Sequence, residues 1–172
     1  MNKLLLVLVA LAACEKTDDL ARHQHEVTVI AKYYLPVLDA DARRVGAAVD
    51  RIGHVAPGAI GQIGNQLQRA QTRISRLRSL VAPTGDGRST IELEADKKAK
   101  AGDVDEVIAI ADRAHDQLEE GTTAVESDLA AIEGFAAQLE VRAAQLASAP
   151  MPATPTPTPT PPQPDEPPAA TP

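Results

Sequence analysis

The chain has 172 residues, enough for one domain or two small ones, and 44% of them are hydrophobic but only 2% aromatic. With 31 alanines and no tryptophan, this composition favours thin packing of helices over a thick globule with a deep pocket. The formal charge of −7 provides no net basic field to neutralise phosphates, and so argues against nucleic-acid binding.

The N-terminus has the pattern of an export signal. A charged start is followed by an apolar run, residues 4–11, which is too short to span a bilayer as a stable helix. Small residues follow the run, as is typical of a secretory signal peptide. The segment ends in Leu11-Ala12-Ala13-Cys14, and Cys14 is the only cysteine in the chain.

This ending resembles the lipobox of bacterial lipoproteins, in which type II signal peptidase cuts before a cysteine that carries a diacylglycerol. The resemblance implies that residues 1–13 are a removed signal peptide and that Cys14 is the acylated, palmitate-bearing N-terminus, with residues 14–16 as a short tether. Its partner is then a membrane, inner or outer, on the extracytoplasmic side of the bacterial cell envelope. The alternatives are an ordinary secretory signal with an unpaired thiol and an uncleaved anchor.

Residues 17–148 are predicted to be all-α, an elongated antiparallel helical bundle or coiled-coil-like rod of about three long helices. Apolar residues recur there every three or four positions, the period of one helix face. We expect helices over residues 17–54, 58–82 and 103–148, while residues 89–101 are compatible with a short additional helix. Short connections favour packing within one chain.

Local signals predict where these helices begin, bend and end. Thr17 is the expected N-cap of the first helix, and Pro36 is expected to kink that helix without ending it because the apolar period continues on both sides. The unbroken period through Gly121 favours one continuous last helix. Glycines recur every three residues near the start of the second helix, which favours close contact with another helix: Gly58, Gly61 and Gly64.

Two capping boxes are predicted in the second half of the chain. Ser89 with Glu92 has the spacing to start a short helix, and Asp103 with Glu106 has the spacing to start the last one. Gly102 is expected to separate the two helices.

The predicted helices differ in the sign of their charge. Residues 58–82 carry four arginines and no acid, whereas residues 103–148 carry eleven acids and two arginines. Complementary charge predicts that these two helices are neighbours. The surplus acid offers a surface for a basic envelope protein, with Glu119 and Glu120 as the candidate partner-binding residues; a solvated helix face is the ordinary alternative.

Residues for other chemistry are few. Asp19, His23 and Glu26 have helical spacing and are the main candidates for a metal site, with His25 close by, although a solvated polar face is the ordinary interpretation. Asp112, His115 and Glu119 also align on one helix face, but no second copy of that set exists to complete a metal centre. The single cysteine is the lipid site, and the sequence has no glycine-flanked nucleophilic serine and no phosphate-binding loop. We therefore predict no catalytic residue, no enzyme activity, no cofactor and no small-molecule substrate.

Residues 149–172 form a Pro/Thr-rich tail, since 11 of the 14 prolines lie at or after Pro150. This composition predicts a disordered or polyproline II segment. Such a tail can serve as a spacer, carry sugars or bind an aromatic groove.

The acylated cysteine and the Ala-rich heptads together resemble the murein lipoproteins in design. Those proteins end in a lysine that is linked to peptidoglycan, whereas this sequence ends in Pro172. The resemblance is therefore one of architecture. We predict a non-enzymatic, membrane-tethered helical spacer or scaffold; the alternative is a lipid-anchored periplasmic binding module, such as a chaperone, inhibitor or complex subunit, that uses the acidic face of residues 103–148.

Overall fold

The structure, a computed structural model, describes residues 3–149, with side-chain positions from Lys16 onward. Within this range the chain is helical and has no β-strand. Its helices are α1 (Lys3–Val55), α2 (Ile60–Val81), α3 (Thr90–Lys100) and α4 (Val104–Ser148), with a 3-10 turn at Pro57–Ala59. The four helices pack against one another, so the predicted all-α helical bundle is confirmed. The predicted tail from Pro150 onward lies outside the described residues.

Helices α1 and α4 run parallel to each other. Tyr34 of α1 lies beside His115 of α4, with ring centroids 6.2 Å apart. Ten residues further along α1, Arg44 contacts Glu126, which is eleven residues further along α4. Because the contacts advance in the same direction on both helices, the first and last helices share an orientation.

Helix α2 runs in the opposite direction to α1. At the turn between them, Ile60 packs against Gly53, and at the far end of α2 the side chain of Arg78 contacts Asp39. Helix α3 continues in the same sense beyond the end of α2. Helices α2 and α3 are therefore both antiparallel to α1 and α4, while α1 and α4 are parallel to each other.

Two hydrophobic cores lie end to end along the bundle. The first is formed by α1, α3 and the first half of α4 with the last turns of α2, and the second by α1, α2 and the middle of α4. Large members of the first core are Leu38, Leu77, Ile91 and Leu118, and large members of the second are Ile52, Leu67, Leu129 and Ile132. Helices α2 and α3 thus follow one another along the bundle axis, and together they occupy the third position beside α1 and α4.

The structure has four helices where the apolar pattern predicts about three long ones. Pro83 cannot continue α2, and Gly87 adopts a φ of 80° in the hydrogen-bonded turn that follows. Ser89 then starts α3 with the predicted capping box: its side chain accepts a hydrogen bond from the Glu92 backbone, and the Glu92 side chain accepts one from the Ser89 backbone. Gly102, with a φ of 75°, separates α3 from α4 as expected.

Helix α1 begins at Lys3 and not at the predicted cap, Thr17. Residues 3–35 contain no glycine or proline, so nothing in the chain stops the helix from extending through residues 14–16, the segment predicted as a tether. Helix α1 also continues through Pro36. Among the described residues, no helix contains an apolar stretch long enough to cross a bilayer.

The glycines of α2 and α4 have different roles. Helix α4 is continuous through Gly121, where a Cβ atom would lie 2.7 Å from Leu77 Cδ1 of α2, so α2 and α4 approach each other closely there. The expected close helix contact at Gly58, Gly61 and Gly64 is wrong within this chain, because nothing lies within 4 Å of a Cβ built at any of them.

Candidate functional site

A carboxyl group lies between the two cores. Asp41 follows Leu38 and precedes Val45 on the buried face of α1, and it is only 2% exposed. Its Oδ1 lies 3.7 Å from Arg44 Nη1, while its Oδ2 has no hydrogen-bond partner. Burial and the nearby Glu126 carboxylate raise the pKa of Asp41, and Arg44 offsets this only in part. Asp41 therefore binds a proton more readily than an ordinary aspartate does.

Ion pairs surround Asp41 at this level of the bundle. Arg44 of α1 contacts two carboxylates of α4, with Nη1 2.6 Å from Glu126 Oε1 and Nη2 3.5 Å from Glu133 Oε2. Such partly exposed pairs contribute about 0–1 kcal/mol each. Their geometry does select which turns of α1 and α4 lie side by side.

Two further pairs join α2 to its neighbours near the same level. Arg78 Nη2 lies 3.0 Å from Asp39 Oδ1 of α1, and Arg73 donates a hydrogen bond to Asp128 of α4. We call Asp41 and all of these ion pairs together the mid-bundle charged layer. It links the three helices present at that height.

The predicted pairing of basic α2 with acidic α4 occurs through one ion pair. Arg73 contacts Asp128, but Arg78 turns to α1, and the acids Glu126 and Glu133 of α4 are paired by Arg44. The helices are neighbours, as complementary charge predicts. Most of the acid on α4 is left for solvent or a partner.

The partner-binding candidates Glu119 and Glu120 lie on the exposed face of α4. Glu119 Oε2 is 3.7 Å from His115 Nδ1, and its side chain is 66% exposed. Both glutamates border a shallow depression whose rim also includes Asp116 and Thr123. Among residues 16–149, no lysine or arginine forms an ion pair with either glutamate. On its other side, Glu120 lines a cleft with Arg73 and Arg76 of α2, so the excess negative charge lies mainly on the side of Glu119 and Asp116.

Three rings form a ladder across the α1–α4 interface, in which Tyr33 and His115 at the two ends are exposed and Tyr34 between them is buried. The Tyr33 ring packs edge-on against the Tyr34 ring at a centroid distance of 5.3 Å, and Tyr34 packs edge-on against His115. Tyr34 is 8% exposed and Tyr33 is 67% exposed. Burial, then the charge of Glu119, raises the pKa of Tyr34. We call these residues the ring ladder.

The metal candidates are only partly brought together. His23 Nδ1 lies 2.8 Å from Glu26 Oε2, whereas Asp19 is turned to Arg22, whose Nη2 is 3.2 Å from its Oδ1. Over the residues whose side chains are described, no group of three or more His, Cys, Asp or Glu side chains is arranged to hold a metal ion. The side chain of Cys14, the predicted lipid site, lies outside those residues.

Neither the mid-bundle charged layer nor the ring ladder was predicted from the sequence. Asp41 stands three residues after Leu38 and four before Val45, which is the spacing of a buried helix face, but a pattern of apolar residues does not include a charged one. The Tyr33-Tyr34 pair also carried a signal, because neighbouring positions on a helix point in different directions and one ring was bound to face outward.

Comparison with known proteins provides no relative. No protein family matches the chain, and no curated protein or solved structure is significantly similar to it. A function therefore has to be inferred from the residues and geometry described above.

Proposed function

We propose that this chain is a non-enzymatic lipoprotein of the bacterial cell envelope that acts as a membrane-tethered helical spacer or scaffold. The parallel course of α1 and α4 is the observation that carries the proposal. It separates the lipid-bearing end of the bundle from the end that leads into the tail.

The separation follows from the helical rise of 1.5 Å per residue. Cys14 to Tyr34 spans about 30 Å of α1, and His115 to Ala149 spans about 51 Å along α4. Because Tyr34 lies beside His115, Cys14 and Ala149 are about 80 Å apart along the bundle. A lipid on Cys14 then leaves the start of the tail up to that distance from the membrane surface.

The composition of the tail supports the same function. Residues 150–172 extend over about 71 Å if they adopt polyproline II at 3.1 Å per residue. Proline and threonine bury little apolar surface, so a disordered, extended tail suits a reach away from the membrane. The rod-like bundle and the tail would act in series.

The mid-bundle charged layer suits a structural role. Its arginines pair with carboxylates of neighbouring helices, and such pairs are best known for selecting helix register. We infer that the layer maintains the alignment of α1, α2 and α4, on which the length of the spacer depends.

A second candidate function is that of a lipid-anchored periplasmic binding or accessory module. The exposed carboxylates of Glu119 and Glu120 favour it, because neither forms an ion pair with a lysine or arginine of residues 16–149 and a basic partner would gain from pairing with them. In this case the acidic face of α4, and not the length of the bundle, carries the function.

The lipid is tested by growing cells with a clickable palmitate analogue. The wild-type protein should incorporate the label and sediment with membranes, and Cys14→Ala should lose the label. Cys14→Ser is the matched control for side-chain size. Labelling that persists in both variants, or a wild-type protein without label, would contradict lipidation at Cys14.

In-cell crosslinking with mass spectrometry separates the two functions. The full chain is compared with a chain truncated after Ala149 and with Glu119→Lys/Glu120→Lys. A spacer that presents its tail should lose its crosslinked partner on truncation and keep it after charge reversal. The opposite result supports the binding module.

A matched control for the charge reversal is Asp105→Lys/Glu140→Lys. This variant makes the same change in net charge on exposed positions of the same helix, outside the Glu119–Glu120 region. If both double variants lose the crosslinked partner, binding depends on the total charge of the helix, and this result argues against a specific acidic site.

A further inference from the structure

The outer end of the ring ladder is an exposed apolar patch. Tyr33 is 67% exposed, and Val29, one helical turn earlier on α1, is 49% exposed. Pro36 lies on the same exposed side of the helix. The Tyr33 ring is also held in place by its edge-on contact with Tyr34. A rigid, exposed aromatic ring with apolar neighbours is suited to binding.

Proline-rich segments are suitable ligands for such a surface. A polyproline II helix is already extended before it binds, so it loses little conformational entropy, and its prolines dock against tyrosine and other aromatic rings. Binding usually uses prolines at PxxP spacing. The tail has this spacing at four pairs of prolines, and two of the pairs overlap in residues 161–167, where Pro161 and Pro164, and again Pro164 and Pro167, are three residues apart.

The tail is long enough to reach the ring ladder of its own chain. The rise along α4 from Ala149 back to His115 is about 51 Å. About 16 residues of polyproline II, at 3.1 Å each, cover this distance. The sixteenth residue after Ala149 is Asp165, which lies within residues 161–167.

We propose that the Pro/Thr tail folds back along α4 and docks residues 161–167 on the exposed patch of Tyr33, Val29 and Pro36 at the Tyr33 end of the ring ladder. Attachment to the same chain gives the tail an effective concentration near the millimolar range, so a weak contact is sufficient. The docked tail lies against the bundle, whereas the released tail extends beyond the end of α4. The molecule is therefore shorter when the tail is docked and longer when it is released. Docking does not depend on the lipid at Cys14.

The two tyrosines allow a direct test, because Tyr33 and Tyr34 are the only tyrosines in the chain. The full chain and the chain truncated after Ala149 are labelled with 3-fluorotyrosine, and the two ¹⁹F signals are assigned with Tyr33→Phe and Tyr34→Phe. Docking predicts that truncation shifts the Tyr33 signal and that Pro161→Ala/Pro164→Ala/Pro167→Ala shifts it to the same position.

The matched control is Pro152→Ala/Pro155→Ala/Pro157→Ala, which removes three prolines near Ala149 and should leave the Tyr33 signal in place. Circular dichroism checks that every variant keeps its helix content. A Tyr33 signal that is identical with and without the tail overturns the proposal. A shift that grows with protein concentration also overturns it, because the tail would then dock on another copy.

Discussion

At the scale of single residues, the carboxyl group of Asp41 makes the free energy of unfolding depend on pH. Its raised pKa means that the folded protein favours the protonated form. The resulting stabilisation is fully present below the unfolded pKa of about 3.9 and is lost as pH rises through the raised pKa of the folded state. Between the unfolded pKa and the raised pKa of the folded state, this group therefore makes the bundle less stable as pH increases.

We predict that Asp41→Asn stabilises the protein at pH 7, because the amide keeps the shape of the side chain without burying a charge. The gain should be on the order of 1 kcal/mol, the low end of the cost of a buried unpartnered polar group. Urea unfolding at pH 5 and pH 7 measures it, and the variant should show the smaller difference between the two pH values.

Asp39→Asn is the matched control for this substitution. It makes the same chemical change two residues away, where Arg78 contacts the carboxylate. It should not raise stability at pH 7. If both variants are stabilised equally, the effect comes from the reduced net negative charge and not from the burial of Asp41.

Gly121 provides a second prediction at this scale. Gly121→Ala gains about 1 kcal/mol of helix propensity, but its Cβ would lie 2.7 Å from two methyl groups of the buried Leu77. Overpacking of this kind costs about 1–3 kcal/mol. Gly134→Ala is the control in the same helix, since nothing lies within 4 Å of its Cβ. Thermal unfolding should show Gly134→Ala more stable than wild type and Gly121→Ala less stable than Gly134→Ala.

At the scale of elements, α3 depends on the cap at Ser89. This serine is 1% exposed, and its hydroxyl accepts a hydrogen bond from the Glu92 backbone. Ser89→Ala should lower the free energy of unfolding by about 1 kcal/mol, the usual cost of losing a helix cap. Hydrogen exchange should then be faster in α3 than in α2.

Ser127→Ala serves as the control for the cap. Ser127 is an exposed residue in the middle of α4, where alanine is the better helix former. It should leave stability unchanged or slightly higher. Equal losses in the two serine variants would show that the Ser89 hydroxyl does not act as a cap.

At the scale of the whole molecule, the parallel arrangement of α1 and α4 predicts a long distance between the chain ends of the bundle. In a Cys14→Ala chain, labels on cysteines at positions 16 and 149 should be about 78 Å apart, from the helical rise on either side of the Tyr34–His115 contact. Pulsed electron–electron resonance on a deuterated sample, or energy transfer with a long-range dye pair, measures this distance.

Labels at positions 16 and 101 provide the control, because the α3–α4 connection lies at the same end of the bundle as residue 16. That pair should be close. A short distance for the pair at positions 16 and 149 would mean that α4 folds back on itself, and it would remove the geometric basis of the proposed spacer.

Much of the helical architecture could be predicted from local patterns. The Ser89–Glu92 capping box, the break at Gly102 and the continuity of the last helix all follow from residues close together in the chain. The short helix α3 was predicted only as compatible with residues 89–101, because whether Ser89 starts a separate helix depends on how the turn at Gly87 redirects the chain. The start of α1 was placed too late because a capping residue at Thr17 does not by itself stop a helix.

The candidate sites were harder to predict because they join distant parts of the chain. Glu119 and Glu120 were identified from charge alone, and the structure places them on an exposed face. Asp41 is a charged residue at a buried position, which an apolar pattern does not predict, and the ring ladder requires Tyr34 and His115 from different helices. Pairwise contacts between helices have no short-range signal in a single sequence.

The helical character of the chain, the cap at Ser89, the break at Gly102 and the contrast between basic α2 and acidic α4 follow from the sequence alone, because they depend on neighbouring residues and on composition. The parallel course of α1 and α4, the shared position of α2 and α3 beside them, and the burial of Asp41 near Arg44 and Glu126 became evident from the tertiary structure. These features depend on which apolar faces meet and in which register, and that is settled by packing over the whole length of the bundle.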